Sequence, residues 1–123
     1  MAYNVLLRST PRANPATSMT KRSYVDAVLT GIDKALSECT TTMYVSLLLS
    51  IDRRQNLSEA QDIIRLASEY QSQPKHHHIV RVVGIDLSGD PTAGYMAALL
   101  PALKSVKQNG LKLYAHCRDT RQE

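Results

Sequence analysis

Four short stretches of the chain put charged or hydrogen-bonding side chains directly behind an apolar run. Arg8, Ser9, Thr10, Pro11 and Arg12 follow the first run, and Asp52, Arg53 and Arg54 the second. Asp86, Ser88, Gly89, Asp90 and Pro91 follow the third, and His116, Arg118 and Asp119 the fourth. If the four apolar runs are neighbouring strands of one α/β sheet, these groups share its C-terminal edge. That is where ligands bind in such folds, because the βα loops converge there. The chemistry on offer is recognition of a polar or anionic ligand.

Each residue also has a purely structural reading. Asp90-Pro91 is a good helix N-cap followed by a first-turn proline. Gly89 can serve a tight turn, and Asp52 with Arg53 can form a surface ion pair worth less than about 1 kcal/mol. His116 alone would read as a partly buried strand-end histidine. The shared edge is what favours a site. The triplet His76-His77-His78 follows a polar loop, and adjacent residues alternate faces, so it reads as a solvated loop and not as a metal centre.

The elements that must position these groups alternate. β-type runs at residues 3–8, 43–51, 79–87 and 111–116 are rich in Val, Ile and Leu without strict polar alternation, as in buried parallel strands. Between them lie helical patterns. Residues 20–38 carry Tyr24, Val25, Val28, Leu29, Ile32 and Leu36 on one face. Ser58 and Gln61 read as a capping box opening the second helix, whose buried side is Ile63, Ile64, Leu66, Ala67 and Tyr70. The third lies within residues 92–108 and ends at Asn109-Gly110. Pro101 predicts either a kink there or a helix that starts just before it. The order is βαβαβαβ, an α/β fold with a parallel sheet and right-handed crossovers. Periodicity alone leaves a flavodoxin-like open sheet and part of a barrel equally open.

Length and composition bound the rest. At 123 residues the chain fits one domain but not a complete (β/α)8 barrel, which needs about 250 residues. An apolar content of 43% with a net charge of only +4 argues against disorder. Residues 43–51, broken by Ser46 and Ser50, fall far short of the ~20 apolar residues a membrane span needs. The N-terminus lacks a secretory pattern. Cys39 and Cys117 have no metal or redox spacing, so reduced thiols and a cytoplasmic location are expected. The basic residues are scattered, which argues for ordinary surface charge and against nucleic acid as a partner.

The motifs, taken together, resemble a known family. LRSTPR at residues 7–12, Met19-Thr20-Lys21, Tyr24-Val25, SIDRR at 50–54, GIDLSGDPT at 84–92 and GLKLYAH at 110–116 resemble the adenosine deaminase family, and within it the adenosine-deaminase-like branch that acts on N6-methyl-AMP. The resemblance covers nearly the whole chain, in order. It implies a (β/α)8 (TIM) barrel of the metal-dependent hydrolase type, here incomplete, with the four strands matching the second to fifth. Residues 117–123 no longer look like the family and form a divergent tail.

The resemblance also implies roles. His116 matches one of four zinc ligands, and Asp119 stands where the family has its proton-donating glutamate. Gly89 matches the glycine whose backbone N–H contacts the purine. Ser9, Thr10, Pro11, Arg12 and Asp52 match positions used around the substrate, the first four at the phosphate, for which a planar Arg fork and a hydroxyl donor are well suited. Zinc supplies hydroxide near neutral pH; C6 of the purine is attacked, a carboxylic acid protonates the ring nitrogen, and the amine leaves. The His-x-His zinc pair and the metal-binding aspartate have no counterpart in this chain. The expectation is therefore a fragment of a zinc-dependent purine nucleotide deaminase, inactive by itself, with a non-catalytic half-barrel that binds a nucleotide or a protein partner as the alternative. Open sheet edges predict self-association.

Overall fold

The computed structural model describes residues 2–40, 42–52, 55–72, 80–88 and 96–115. Within them four strands, β1 (Ala2–Ser9), β2 (Thr42–Asp52), β3 (Arg81–Ser88) and β4 (Lys112–Ala115), alternate with three α-helices, α1 (Lys21–Ser37), α2 (Leu57–Ser72) and α3 (Met96–Gln108). All strand pairings are parallel and the sheet order is β1-β2-β3-β4. This order decides between the two architectures that periodicity left open. A flavodoxin-like sheet reverses direction at a switch point, and its crossovers cover both faces. A monotonic order with right-handed crossovers sends every helix to the same face, as in consecutive units of a (β/α)8 barrel.

One apolar cluster confirms the single-sided arrangement. Val45, Leu47, Leu49 and Ile51 of β2, with Val82, Ile85 and Leu87 of β3, join Val25 and Leu29 of α1, Ile63, Ile64, Leu66, Ala67 and Tyr70 of α2, and Leu99, Ala102 and Val106 of α3. Each fully buried Leu or Ile contributes on the order of 2 kcal/mol. The alternate residues of the strands, Arg8, Leu48, Ser50, Asp52, Asp86 and Ser88 among them, belong to the opposite face, which lines the interior of a barrel.

Alternation along β3 is interrupted once. Leu47 pairs with Val82, but the next residue, Leu48, pairs with Gly84, so β3 holds one extra residue at Val83. Such a bulge resets which face the following residues occupy. It keeps both Val82 and Ile85 against the helices and turns Asp86 inward. Gly84 is required beside it, since a Cβ there would lie 2.3 Å from the backbone oxygen of Lys112.

Local signals explain most element ends. Thr20 caps α1, accepting from the Ser23 N–H at 3.0 Å while Ser23 Oγ accepts from the Thr20 N–H at 2.9 Å. For α2 the expected Ser58–Gln61 box is replaced by one two residues earlier. Asn56 Oδ1 accepts from the Glu59 N–H at 2.8 Å, and Glu59 Oε1 accepts from the Asn56 N–H at 3.4 Å. Asn is as good an N-cap as Ser, and starting at Leu57 adds a half-buried apolar residue to the helix. α3 runs through Pro101, and Gly110 with φ +72° closes its C-terminal end. Between α1 and α2, the Tyr70 hydroxyl donates to Asp26, and burial first and that bond second raise the Tyr70 pKa above its usual 10.0.

Candidate functional site

Two polar features occupy the C-terminal half of the sheet. The first lies on the inward face and crosses three strands. Arg8 Nε donates to Asp86 Oδ1 at 3.2 Å, and Ser50 Oγ donates to Asp86 Oδ2 at 3.1 Å. Asp86 is completely buried, whereas the Arg8 side chain is 43% exposed. Both carboxylate oxygens are thus engaged, as a buried charge requires. The network ties together the strands whose ends carry Thr10, Asp52 and Ser88. Its effect is to fix the loop-bearing ends relative to one another.

The second feature is a cleft of about 640 Å3 beyond the ends of β1 and β2. Its walls include Thr10, Pro11, Arg12, Lys21, Asp52 and Gln55, with Glu59 and Ala13 completing the lining. The volume is that of ordinary small-molecule sites. Pro11 is fully buried and anchors the loop, leaving Arg12 exposed. The Asp52 N–H donates to Gln55 Oε1 at 3.0 Å, and the Gln55 N–H donates back to the Asp52 carbonyl at 2.9 Å, so a tight turn presents Asp52 to the cleft.

Of the residues singled out from sequence, Thr10, Pro11, Arg12 and Asp52 come together in this cleft. Ser9 does not line it. As the last residue of β1 on the helix-facing side, it shares a hydrogen bond of 3.0 Å with the Tyr24 hydroxyl of α1. Gly89, His116 and Asp119 lie outside the described residues, as do His76, His77 and His78. Among the described residues no three His, Cys, Asp or Glu side chains gather to hold a metal ion, so these residues do not form a zinc centre. Nor is any helix among them long and apolar enough to cross a membrane.

Sequence reasoning missed Arg8, Ser50 and Asp86 as a unit, and Lys21 as a cleft residue. One signal was available. Asp86 is a lone carboxylate between Ile85 and Leu87, and a charge inside an apolar strand needs a partner. Which partner it finds depends on strand order and on the bulge.

Comparison with known proteins gives this geometry a context. No family model matches the chain. N6-methyl-AMP deaminase of Bos taurus is 43% identical over 110 residues, covering 89% of this chain and 30% of that protein. N6-mAMP deaminase of Arabidopsis thaliana is 36% identical over 132 residues, covering 90% and 35% respectively. Among solved structures, Arabidopsis ADAL complexed with IMP superposes with a TM-score of 0.81 at 40% identity, over 93% of this chain and 33% of that one. Its complex with GMP gives 0.81 at 39% identity. The chain therefore spans about a third of the length of the relatives it matches. Along that third, in sequence and in the path of its strands and helices, it is a homologue of the N6-methyl-AMP deaminases and adenosine-deaminase-like proteins.

Proposed function

We propose that this chain supplies the nucleotide-binding arc of a hydrolytic deaminase acting on purine mononucleotides of the N6-methyl-AMP class. One observation carries the reading. Thr10, Arg12 and Asp52, from two different βα loops, meet in one cleft of a chain about 40% identical to a protein solved with IMP and with GMP. An Arg fork and a Thr hydroxyl are suitable donors for a phosphate monoester. Deaminase chemistry comes to the proposal from the relatives, which are named for it.

Zinc is the cofactor this reading carries, with His116 as a ligand and Asp119 as the acid near the purine ring nitrogen. Gly89 would lie against the base and Ser9 would help hold the phosphate-side loop through Tyr24. The described residues by themselves gather no ligand set for it. By itself the 123-residue chain is proposed to bind nucleotide without turning it over. The compartment proposed is the cytoplasm, where the exposed thiol of Cys39 stays reduced.

Two measurements on the purified chain test this. Calorimetry with IMP should show binding, and its absence at millimolar ligand would overturn the nucleotide reading. Incubation with N6-methyl-AMP and Zn2+ should release no methylamine; zinc-dependent release would overturn the proposal that the chain alone is inactive.

A further inference from the structure

Lys21 opens α1 and lines the same cleft as Thr10, Arg12 and Asp52, but it has no part in the roles assigned above. Its side chain is 24% exposed, well covered for a lysine. Nζ stands 3.8 Å from Asp62 Oδ2 of α2, near enough for attraction but beyond hydrogen-bond range. Asp62 itself takes a closer bond, 3.2 Å, from Arg65. Among the described residues the Lys21 ammonium donates no hydrogen bond, so its three protons are available to a ligand in the cleft.

The charges around the cleft make this lysine consequential. Among the described residues that line it, the cleft carries two cations, Arg12 and Lys21, beside the carboxylates Asp52 and Glu59. A phosphate monoester brings about −1.5 to −2 charges at pH 7, so a second cation adds directly to its attraction. The Glu59 carboxylate also accepts from the Asn56 N–H of the α2 cap.

From this we infer that Lys21 is a specificity-determining residue. With Arg12 it binds the 5′-phosphate and makes the site select purine nucleotides over nucleosides, the weak tether to Asp62 holding it in place until a phosphate arrives. The inference rests on the nucleotide reading above. Arg12 supplies the planar fork and Lys21 a movable point charge.

The test is calorimetry on the full chain with IMP, inosine and inorganic phosphate. It compares the wild type, Lys21→Gln, Lys21→Arg and Asp62→Asn, each checked by circular dichroism for an unchanged fold. The wild type should bind IMP at least tenfold more tightly than inosine. Lys21→Gln should lose about tenfold in IMP affinity, the scale of one charge-assisted contact, and leave inosine unchanged. Lys21→Arg should retain most of the IMP affinity. Asp62→Asn, which frees the ammonium, should match or exceed the wild type. Inorganic phosphate should compete with IMP in the wild type and weakly in Lys21→Gln. Equal loss for IMP and inosine in Lys21→Gln, or no loss for either, would overturn the role of Lys21 while leaving nucleotide binding intact. A wild type that binds IMP and inosine equally would refute phosphate selection. A wild type that binds neither overturns the nucleotide reading and this inference with it.

Discussion

The Arg8–Asp86–Ser50 network predicts an asymmetry between its two charged members. Arg8→Leu removes the cation and leaves a carboxylate with no solvent exposure held only by the Ser50 hydroxyl. Breaking a fully buried pair in this way costs about 3–5 kcal/mol. Because the Arg8 side chain is 43% exposed, water already screens part of the interaction, and the expected cost falls to about 2 kcal/mol. Asp86→Val removes the buried charge itself. Arg8 can then hydrate through its exposed surface, and the main penalty is the Ser50 hydroxyl, 3% exposed and unpaired, at about 1 kcal/mol. Val suits a strand and fills most of the vacated volume. Urea unfolding followed by circular dichroism gives both values, provided the denaturant slopes agree with that of the wild type. Arg8→Leu should be the less stable variant by about 1 kcal/mol. The opposite order would refute the argument that burial of the Asp86 carboxylate makes Arg8 indispensable.

Other expectations follow from packing and capping. Gly84→Ala forces a Cβ against the Lys112 backbone oxygen, so hydrogen exchange at residues 112–115 should accelerate and stability should fall by about 2 kcal/mol. Asn56→Ala should cost about 1 kcal/mol in thermal or urea unfolding, and Ser58→Ala only a few tenths, because the cap lies at Asn56. Tyr70 has its pKa raised in the folded state, so its contribution is complete below its unfolded pKa of 10.0 and is lost as the pH rises through the folded value. Tyr70→Phe, which loses the bond to Asp26, should cost about 1 kcal/mol at pH 7 and should flatten the decline in stability above pH 10. The outer edges of β1 and β4 have no partner strand among the described residues, and Tyr3, Leu7, Leu113 and Tyr114 are exposed on those strands. Sedimentation at rising concentration should therefore show self-association; a monodisperse monomer throughout would count against it.

Local and periodic features were legible without coordinates because they depend on neighbours in the chain. The apolar stripe of α2 is buried residue for residue, and α1 runs over Lys21–Ser37, within the expected span of residues 20–38. The α2 cap was misplaced by two residues because Asn56–Glu59 and Ser58–Gln61 both satisfy the same spacing rule, and only packing of Leu57 selects between them. Thr10, Pro11, Arg12 and Asp52 were readable as candidates because each follows a strand, and strand ends on one edge converge. Ser9 illustrates the converse. A residue adjacent to the site loop can face the helices, since successive strand residues alternate sides.

The sequence by itself determined the βαβαβαβ order, the helix faces, the strand-end polar residues and the family they resemble. It could not decide whether the sheet reverses direction, because strand order is a property of long-range pairing and leaves no mark on local periodicity. Nor could it place Asp86. Counted by strict alternation from Val82, that carboxylate would face the helices; the extra residue at Val83 turns it inward, onto Arg8 and Ser50. The tertiary structure settled that point, because a bulge exists only as a mismatch between two paired strands.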